Sequence, residues 1–288
     1  MLCVFCTLKL HRSESFLTYN TCPNVEFIVV DHASTDESRD VVRAYTDSLE
    51  LQPIFLDRNE SFSSSNNLAA RKSRGSLLLL LNNDIVFRTD VLPSLVHAMH
   101  DPKVGVCGCR LHYPDTDARL PNGIQHAGIK LMVDANRHMI RPYNVGGLQR
   151  VERASDEDER VLAVTGAVLL VRKTEYLALN CLDETYVYGY EDVDYCLHSL
   201  FERHLKNVCL NSVWLVHDES STRRKDRTPE ARSRRHRNLA FFEQRFGWAL
   251  RRAMLRDELE DGAFEIAFVF SESSTEQSWI RTLGSIFN

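Results

Sequence analysis

An unbroken apolar segment of the chain stops abruptly at polar residues. Leu77–Leu81 is followed by two asparagines and Asp84, and a new apolar pair, Ile85–Val86, comes next. Apolar runs without polar alternation are typical of strands that are covered on both faces, as parallel strands are in α/β proteins. Because ligands of such sheets bind outside the carboxyl ends of the strands, Asp84 is placed where a hard cation or a ligand hydroxyl would bind. A simple turn would also account for these residues.

Two predicted strands and two predicted helices precede this segment. Val25–Asp31 is again strand-like and ends in a carboxylate, and residues 34–37 have the capping-box spacing that starts a helix. The apolar stripe of that helix comprises Val41, Val42, Tyr45 and Leu49. A short strand at residues 53–56 and a helix at residues 63–72, ended by Gly75, complete the pattern.

This alternation of strands and helices predicts an α/β fold. The βαβ crossovers are right-handed, and the central sheet is mostly parallel with helices on both faces. Asp31 and Asp84 should therefore lie together at its carboxyl edge. A further helix at residues 8–18, ended by Pro23, precedes these strands.

The pattern changes beyond Asp84. A helix is predicted at residues 91–100 and a strand at residues 104–109, whereas residues 111–160 indicate short strands and loops. Residues 161–171 are strand-like again on both sides of Gly166. A glycine inside a strand pattern indicates a bulge or a close approach of the backbone to a ligand.

A second polar cluster precedes an amphipathic helix. Glu191, Asp192 and Asp194 follow a Tyr-Gly-Tyr sequence and lie at the amino end of the helix. Its apolar stripe comprises Val193, Cys196, Leu197, Leu200 and Phe201. Offsetting the helix dipole, at ~0.3–1 kcal/mol per charge, accounts for one carboxylate but not for three. A strand at residues 208–216 then ends in His217, and a lone histidine there is more often structural than a ligand.

Composition is that of a globular protein without a general affinity for nucleic acid. The chain has 288 residues, 43% of them hydrophobic, and a net charge of -5. The eight cysteines lack zinc-finger spacing and suit buried positions in a reducing compartment. Since no apolar run approaches the ~20 residues that span a bilayer, and no signal peptide is evident, the composition predicts a cytoplasmic protein.

Phosphate-binding loops are missing from the sequence. It has neither the glycine-rich loop of Rossmann or P-loop proteins nor a Gly-x-Ser-x-Gly elbow. A nucleotide diphosphate on this sheet would need a divalent metal held by carboxylates, a chemistry that suits Asp84.

Several separated segments resemble the family 2 glycosyltransferases, which are inverting enzymes with the nucleotide-diphospho-sugar fold called GT-A. The segments are residues 29–36, the Asn-Asn-Asp sequence at residues 82–84, Thr165-Gly166-Ala167 with Arg172, and the Glu-Asp motif at residues 191–194. Gln125-His126-Ala127-Gly128 is similar to a segment of the rhamnosyltransferase-like branch, which builds bacterial surface polysaccharide. The resemblance runs in order over residues 18–247 and implies one GT-A domain over residues 1–250.

The resemblance implies a donor side of the site. Asp31 would contact the nucleotide base, with Ser34 nearby. Asn59, Asn66 and Asn82 would help to hold the nucleotide and its ribose.

The metal site also follows from the resemblance. Asp84 and His217 would bind Mg²⁺ or Mn²⁺ bridging the diphosphate of a nucleotide-sugar donor.

An acceptor side is implied as well. Asp192 would be the general base that removes a proton from the acceptor hydroxyl, since a hydroxyl is a poor nucleophile without a base. Glu191 would position the acceptor or the base, and Gly166, Arg172 and Asp194 would lie beside a glycan or lipid-linked acceptor.

Both ends of the chain depart from the family pattern. Few residues precede the helix predicted at residues 8–18, so we expect the first strand to be missing or shortened, with residues 2–6 replacing it at best in part. Residues 264–270 form a new strand-like segment in a carboxyl-terminal extension over residues 251–288. The extension either opens a truncated second domain or adds an edge strand.

Two further alternatives concern function. The basic segment from Arg223 to Arg237 is either a solvated helix start or a surface for the diphosphate or for anionic lipid on the inner membrane face. The chain as a whole is either an active inverting enzyme or a nucleotide-sugar-binding fragment of weak or no activity. A nucleotidyltransferase would need a glycine-rich amino-terminal loop that is not present.

Overall fold

A computed structural model describes residues 1–6, 13–46, 50–118, 120–134, 139–147, 149–151, 154–218 and 228–260. Its twelve strands form a mixed sheet of ten strands and a separate sheet of two. The strands are β1 (Leu2–Cys6), β2 (Val25–Asp31), β3 (Leu51–Phe55), β4 (Leu77–Leu81), β5 (Ile85–Val86), β6 (Val104–His112), β7 (Ile124–His126), β8 (Ile129–Asp134), β9 (Met139–Asn144), β10 (Glu159–Val161), β11 (Val168–Arg172) and β12 (Lys206–His217). The helices are α1 (Ser13–Tyr19), α2 (Ser38–Tyr45), α3 (Phe62–Lys72), α4 (Leu92–Ala98), α5 (Lys173–Ala178), α6 (Glu191–Phe201) and α7 (Pro229–Glu260).

The sheet combines a parallel half with antiparallel additions. Its order is β10-β12-β6-β11-β4-β1-β2-β3, and β5 and β7 pair with β12 and β6 at its margin. The pairings among β4, β1, β2 and β3 are parallel, as the βαβ pattern predicts, and so is the pairing of β6 with β12. β11 is antiparallel to both of its neighbours. Strands β8 and β9 form a separate two-stranded sheet.

A strand occupies the position that we expected to be empty or shortened. β1 lies inside the sheet, where its five residues pair in register with residues 25–29 of β2 and with all of β4. The first strand is therefore present rather than missing, whereas its being shortened stays a prediction. Five residues suffice here because β3 and β4, in the same sheet, are no longer than that.

Helices cover both faces of the sheet, so the apolar strands are buried as predicted. Leu78, Leu79 and Leu80 of β4 are fully buried. One face packs against α1 and α4 through a core that includes Phe16, Leu92 and Leu95. Because successive strand residues point to opposite faces, the other residues of β4 face the side of α3 and α6.

Two local predictions differ from the structure. The capping box at residues 34–37 does not form: α2 begins four residues later, and its N-cap, Glu37, makes no side-chain hydrogen bond, because Asp36 instead accepts the Ser38 N–H. Residues 162–165 are not in a strand, since only Val161 belongs to β10 and Ala163 forms an isolated bridge. The helix predicted at residues 8–18 is described only from Ser13 onward, and it ends at Tyr19. Leu49, which was predicted in the apolar stripe of α2, lies outside the described residues.

The chain divides into two compact units. The first comprises Met1–Met132 and Arg141–Leu239, and the second comprises Val133–Ile140 and Ala240–Asn288. In the second unit, Phe242, Phe246 and Leu250 of α7 are buried. The strand predicted at residues 264–270 lies outside the described residues.

Asn67 of α3 holds a distant loop through four hydrogen bonds. It donates to the Leu182 carbonyl and to Glu184, and it accepts from the Leu182 N–H and the Tyr176 hydroxyl, at 2.7–3.0 Å. The side chain is buried. The loop after α5 is therefore fixed to the helix that follows β3.

Replacing Asn67 tests this connection. Asn67→Leu leaves several buried polar groups without partners, and we expect the free energy of unfolding to fall by about 2–4 kcal/mol in urea titrations. Lys72→Ala, on an exposed position of the same helix, should change it by less than about 0.5 kcal/mol. Equal effects of both substitutions would contradict the role of Asn67.

Candidate active site

Asp84 and His217 meet at the carboxyl edge of the sheet. Asp84 follows β4, His217 ends β12, and the pairing of His217 with Ile85 brings the two chain segments together. Nε2 of His217 lies 3.1 Å from Oδ1 of Asp84, and the Asp84 carbonyl accepts the Asp218 N–H at 3.0 Å. The side chain of Asp84 is 20% exposed and that of His217 is 12% exposed, so both are largely shielded but accessible from the edge.

Gln125 orients the imidazole of His217. Its Oε1 lies 2.7 Å from Nδ1 of His217, and its Nε2 donates to the His217 carbonyl at 3.3 Å. Because an amide oxygen only accepts, Nδ1 carries a proton, and in the neutral form of the ring the lone pair of Nε2 points toward the Asp84 carboxylate. Two electron-pair donors facing each other in this way are stabilised by a cation bound to both.

The separation of these donors fits a divalent metal. Two ligands at right angles around Mg²⁺ or Mn²⁺, each about 2.1 Å from the ion, lie about 3 Å apart. One carboxylate oxygen and one imidazole nitrogen are an acceptable ligand pair for such ions. In the described part of the chain, no group of three or more potential ligands is found, so water or a bound ligand would supply the other positions.

Asp192 is fixed at the start of α6 by a backbone amide. Its Oδ2 accepts the Gly166 N–H at 2.8 Å, and its Oδ1 accepts the Val193 N–H at 2.9 Å. A Cβ on Gly166 would lie 3.2–3.3 Å from Phe62 and Asp192, which is tighter than most real contacts. The glycine therefore permits the close approach that holds the carboxylate, rather than forming a bulge in a strand.

The residues Glu191 and Asp194 are more deeply buried than Asp192. Glu191 accepts the Gly189 N–H at 2.5 Å. Asp194 accepts the Tyr186 hydroxyl at 2.8 Å and lies 3.4 Å from Nε2 of His198, with almost no exposed surface. Asp194, which we predicted to lie beside the acceptor, is instead an internal anchor, because two residues along a helix rotate the side chain to another face.

The loop before α6 has an unusual backbone. Tyr188, Gly189 and Tyr190 have φ values of 54°, 138° and 77°. The side chain of Asn238, in α7, donates to the carbonyls of Val187 and Gly189 at 3.0 Å. This contact fixes a conformation that is rare for residues with a side chain.

The predicted donor side begins at the end of β2. Asp31 accepts the Ser34 N–H at 3.3 Å and Nε of Arg39 at 2.7 Å. Burial alone would raise the pKa of Asp31, but the hydrogen bonds from Ser34 and Arg39 hold that pKa below its usual value. Arg39 was not foreseen, since nothing in the sequence connects it with Asp31.

The three predicted asparagines lie in different settings. Asn59 accepts from Nδ1 of His32 at 3.1 Å. Asn66 is buried in α3 and donates to the Phe62 carbonyl at 2.8 Å. The backbone of Asn82 donates to the Ala167 carbonyl at 3.0 Å, which joins the end of β4 to the segment that holds Asp192.

Arg172 lies at the opposite edge of the sheet. It pairs with Leu77, at the start of β4, and donates to the carbonyls of Val104, Met99 and Asp101. The antiparallel strand β11 thus carries Gly166 and Arg172 to different edges. The prediction that Arg172 lies beside the acceptor is therefore wrong, and the side chain secures the end of α4.

His126 also lies near this site. It belongs to the Gln125-His126-Ala127-Gly128 segment, for which the sequence predicted no role. It is 1% exposed, and its Nδ1 lies 2.8 Å from Oδ1 of Asn144. Burial lowers the pKa of His126 to about 4, while Asp192 and His217 are both close enough to act on that pKa electrostatically, in opposite directions.

The basic segment is described only in part. Residues 223–227 lie outside the described residues. In α7, Arg232, Arg235 and Arg237 are exposed, and the Arg234 guanidinium lies 5.7 Å from the centre of the Tyr188 ring.

Comparisons with known proteins identify the family of the chain. The model of the family described as "Glycosyl transferase family 2" matches residues 10–158. The O-antigen biosynthesis protein RfbC of Myxococcus xanthus is 30% identical over 221 residues, which are 76% of this chain and 17% of that protein. The chain thus spans less than a fifth of the length of that relative.

Solved structures show the same fold. A mannosyltransferase of Pyrobaculum calidifontis in complex with GDP-Man and Mn²⁺ has a TM-score of 0.55 and 14% identity, covering 78% of this chain and 59% of its own. GalNAc-T7 with UDP, GalNAc and Mn²⁺ has a TM-score of 0.58 and 12% identity, covering 76% and 44%. Both are glycosyltransferases, and the predicted GT-A fold is confirmed.

A buried histidine outside the site predicts a pH dependence of stability. His112 stacks on Trp214 at 4.6 Å, and burial, with a smaller effect of Arg110, lowers the pKa of His112 to about 4, against an opposing effect of Asp156. The unfolded chain, with a histidine pKa of about 6.5, therefore binds more protons than the folded chain between these values. Stability is fully present above pH 6.5 and is lost as the pH falls toward 4.

Urea unfolding at pH 7, 6 and 5 measures this loss. His112→Phe should reduce the pH slope of the unfolding free energy by up to about 1.4 kcal/mol per pH unit. The exposed residue His97 provides the control, and His97→Gln should leave the slope unchanged. A slope that is the same in wild type and His112→Phe would contradict the prediction.

Proposed function

The chain belongs to glycosyl transferase family 2, and we propose that it moves a sugar from a nucleoside-diphosphate donor to a hydroxyl of a glycan or lipid-linked acceptor, with inversion at the anomeric carbon. The observation that carries the proposal is that the Asp84–His217 pair and Asp192 lie at one sheet edge, where the Asn82 N–H donates to the carbonyl of Ala167, next to the Gly166 that holds Asp192. The Asp84–His217 pair would hold a metal at the diphosphate of the donor. Asp192 would accept the proton of the hydroxyl that attacks the anomeric carbon.

Asp84 and His217 would hold a divalent metal, and Gln125 would keep the imidazole in the ligating tautomer. Mg²⁺ and Mn²⁺ both fit the distance, and the imidazole nitrogen favours Mn²⁺ as the softer of the two. When bound, the metal supplies positive charge that stabilises the departing diphosphate.

Asp192 would act as the general base. The acceptor oxygen forms a bond to the anomeric carbon while the bond from that carbon to the diphosphate oxygen breaks, and the acceptor proton passes to the Asp192 carboxylate. The backbone amides of Gly166 and Val193 hold the carboxylate in place. Since attack comes from the face opposite the leaving group, the configuration inverts.

The nucleotide would lie along the ends of β2 and β4. Asp31 and Ser34 would receive the base, and Asn59, Asn66 and Asn82 would contribute to holding the nucleotide and its ribose. The fixed position of the Asp31 carboxylate, set by Arg39, supports a role in recognition rather than in proton transfer.

A relative and the cysteines support a proposed cellular setting. One of them is named for O-antigen biosynthesis, so we place the reaction in surface polysaccharide synthesis. Six described cysteines are free thiols, which supports a cytoplasmic location. No helix of the described residues is both long and apolar enough to span a bilayer. The exposed arginines at the start of α7 would supply peripheral contact with anionic lipid.

Replacing Asp84 tests the metal site. Asp84→Asn removes the anionic ligand while keeping its shape, and Mn²⁺-dependent binding of a nucleoside diphosphate should weaken by at least about tenfold in calorimetry. Asp101→Asn, on an exposed turn, is the matched control. Binding by Asp84→Asn that is as tight as in wild type removes Asp84 from the metal site.

Replacing Asp192 tests the base. Asp192→Asn keeps the amide contacts but cannot take a proton, so turnover, followed as released nucleoside diphosphate, should fall by ~10²–10⁴ with donor affinity little changed. Glu202→Gln, at the exposed end of α6, should retain wild-type turnover. If wild type itself binds donor but never turns over, the alternative of a nucleotide-sugar-binding fragment is favoured instead.

A further inference from the structure

His126 presents an unused hydrogen-bond acceptor inside the site. Its Nδ1 lies 2.8 Å from Oδ1 of Asn144. An amide oxygen can only accept a hydrogen bond, so Nδ1 carries the proton and, in the neutral ring, Nε2 carries the lone pair. Nε2 is buried and has no hydrogen-bond partner among the residues that the structure describes. A buried acceptor left in this state is costly unless a ligand satisfies it.

The ring stays neutral under ordinary conditions. Burial lowers the pKa of His126 to about 4, although the hydrogen bond to Asn144 and the charge of Asp192 act in the other direction. At neutral pH the side chain therefore offers a lone pair and no positive charge. A neutral ring in this tautomer accepts a hydrogen bond from a hydroxyl and has no proton on Nε2 to donate to a phosphate oxygen.

The position of His126 indicates which part of the substrate it meets. The preceding residue, Gln125, contacts His217 through its side chain. Three residues after His126, Ile129 pairs with Ala163, which lies shortly before the Gly166 amide that holds Asp192. If the proposed function holds, the diphosphate is at His217 and the attacking hydroxyl is at Asp192. The sugar that passes from one to the other then lies between them, beside His126.

We propose that Nε2 of His126 accepts a hydrogen bond from a hydroxyl of the transferred sugar and thereby makes His126 a specificity-determining residue for the donor. Asn144 is the positioning residue, because its amide oxygen fixes the tautomer. The proposal rests on the proposed function, since it requires a sugar at this place. It predicts a contact to the sugar and none to the nucleotide.

Three substitutions separate this contact from a structural role. His126→Leu removes the acceptor. His126→Asn keeps a polar group that can donate to Asn144 but is too short to reach the position of Nε2. His126→Gln places an amide oxygen near that position. His112→Leu is the matched control, because His112 is also buried, also has its pKa lowered to about 4 and lies on the neighbouring strand.

Binding is measured by calorimetry with Mn²⁺ present, for UDP, GDP and dTDP and for a panel of the corresponding nucleotide-sugars. The Leu and Asn variants should bind the preferred nucleotide-sugar roughly 10- to 100-fold more weakly, with less than about twofold change for the nucleoside diphosphate. The Gln variant and His112→Leu should stay within about threefold of wild type for both ligands. Thermal unfolding identifies any variant that does not fold, and the Asn variant carries the test if Leu fails.

Deoxy analogues of the preferred donor identify the hydroxyl. For wild type, the affinity for one deoxy analogue should be as low as the affinity of the Leu or Asn variant for the intact donor. Those two variants should bind this analogue no more weakly than they bind the intact donor. Equal losses for nucleotide-sugar and nucleoside diphosphate, or affinities that no deoxygenation changes, would overturn the proposal. Failure of the proposed function is a different result, in which wild type binds the donor and shows this hydroxyl dependence yet releases no nucleoside diphosphate with any acceptor.

Discussion

The pairing of β5 with the end of β12 is the contact on which the site depends. β5 has only two residues, yet its antiparallel register sets His217 opposite Ile85 and lets the Asp84 carbonyl accept the Asp218 N–H. Without this short ladder, the ends of β4 and β12 would be separated by β6 and β11, which lie between them in the sheet. A backbone interaction thus brings together the two side chains that suit a cation.

Backbone amides fix the carboxylates of the site in the same way. The N–H groups of Gly166, Gly189 and Ser34 are donated to Asp192, Glu191 and Asp31, respectively. Hydrogen bonds to an ionised carboxylate are stronger than those between neutral groups, and a main-chain donor has no rotamers to lose. The arrangement keeps charged oxygens at defined positions before any ligand arrives.

The sequence was sufficient to predict that Asp84 and Asp192 lie at the ends of their elements, whereas it was not sufficient to predict at which edge of the sheet Arg172 lies. The Leu77–Leu81 run, the polar residues after it and the helix stripe after Asp192 placed Asp84 and Asp192 at element ends, and the structure agrees. The prediction for Arg172 was wrong because a hydrophobic pattern does not reveal strand direction, and the antiparallel β11 places Arg172 beside Leu77, at the edge opposite Asp84. Residues 2–6 were expected to replace the first strand at best in part, because five residues are a weak signal when both neighbouring strands are distant in sequence.

Asn238 gives the site a dependence on the order of synthesis. It lies some fifty residues after Val187 and Gly189, whose carbonyls it binds, and it is the contact that holds the three positive φ values before α6. During translation, the loop that leads into Glu191 and Asp192 therefore leaves the ribosome well before the residue that fixes its shape. All twelve strands that the structure describes precede Asn238 in the chain, but the loop before α6 gains these hydrogen bonds only after the first turns of α7 have emerged. A ribosome that stalls before Asn238 would thus release a chain whose loop before α6 lacks the hydrogen bonds that fix it.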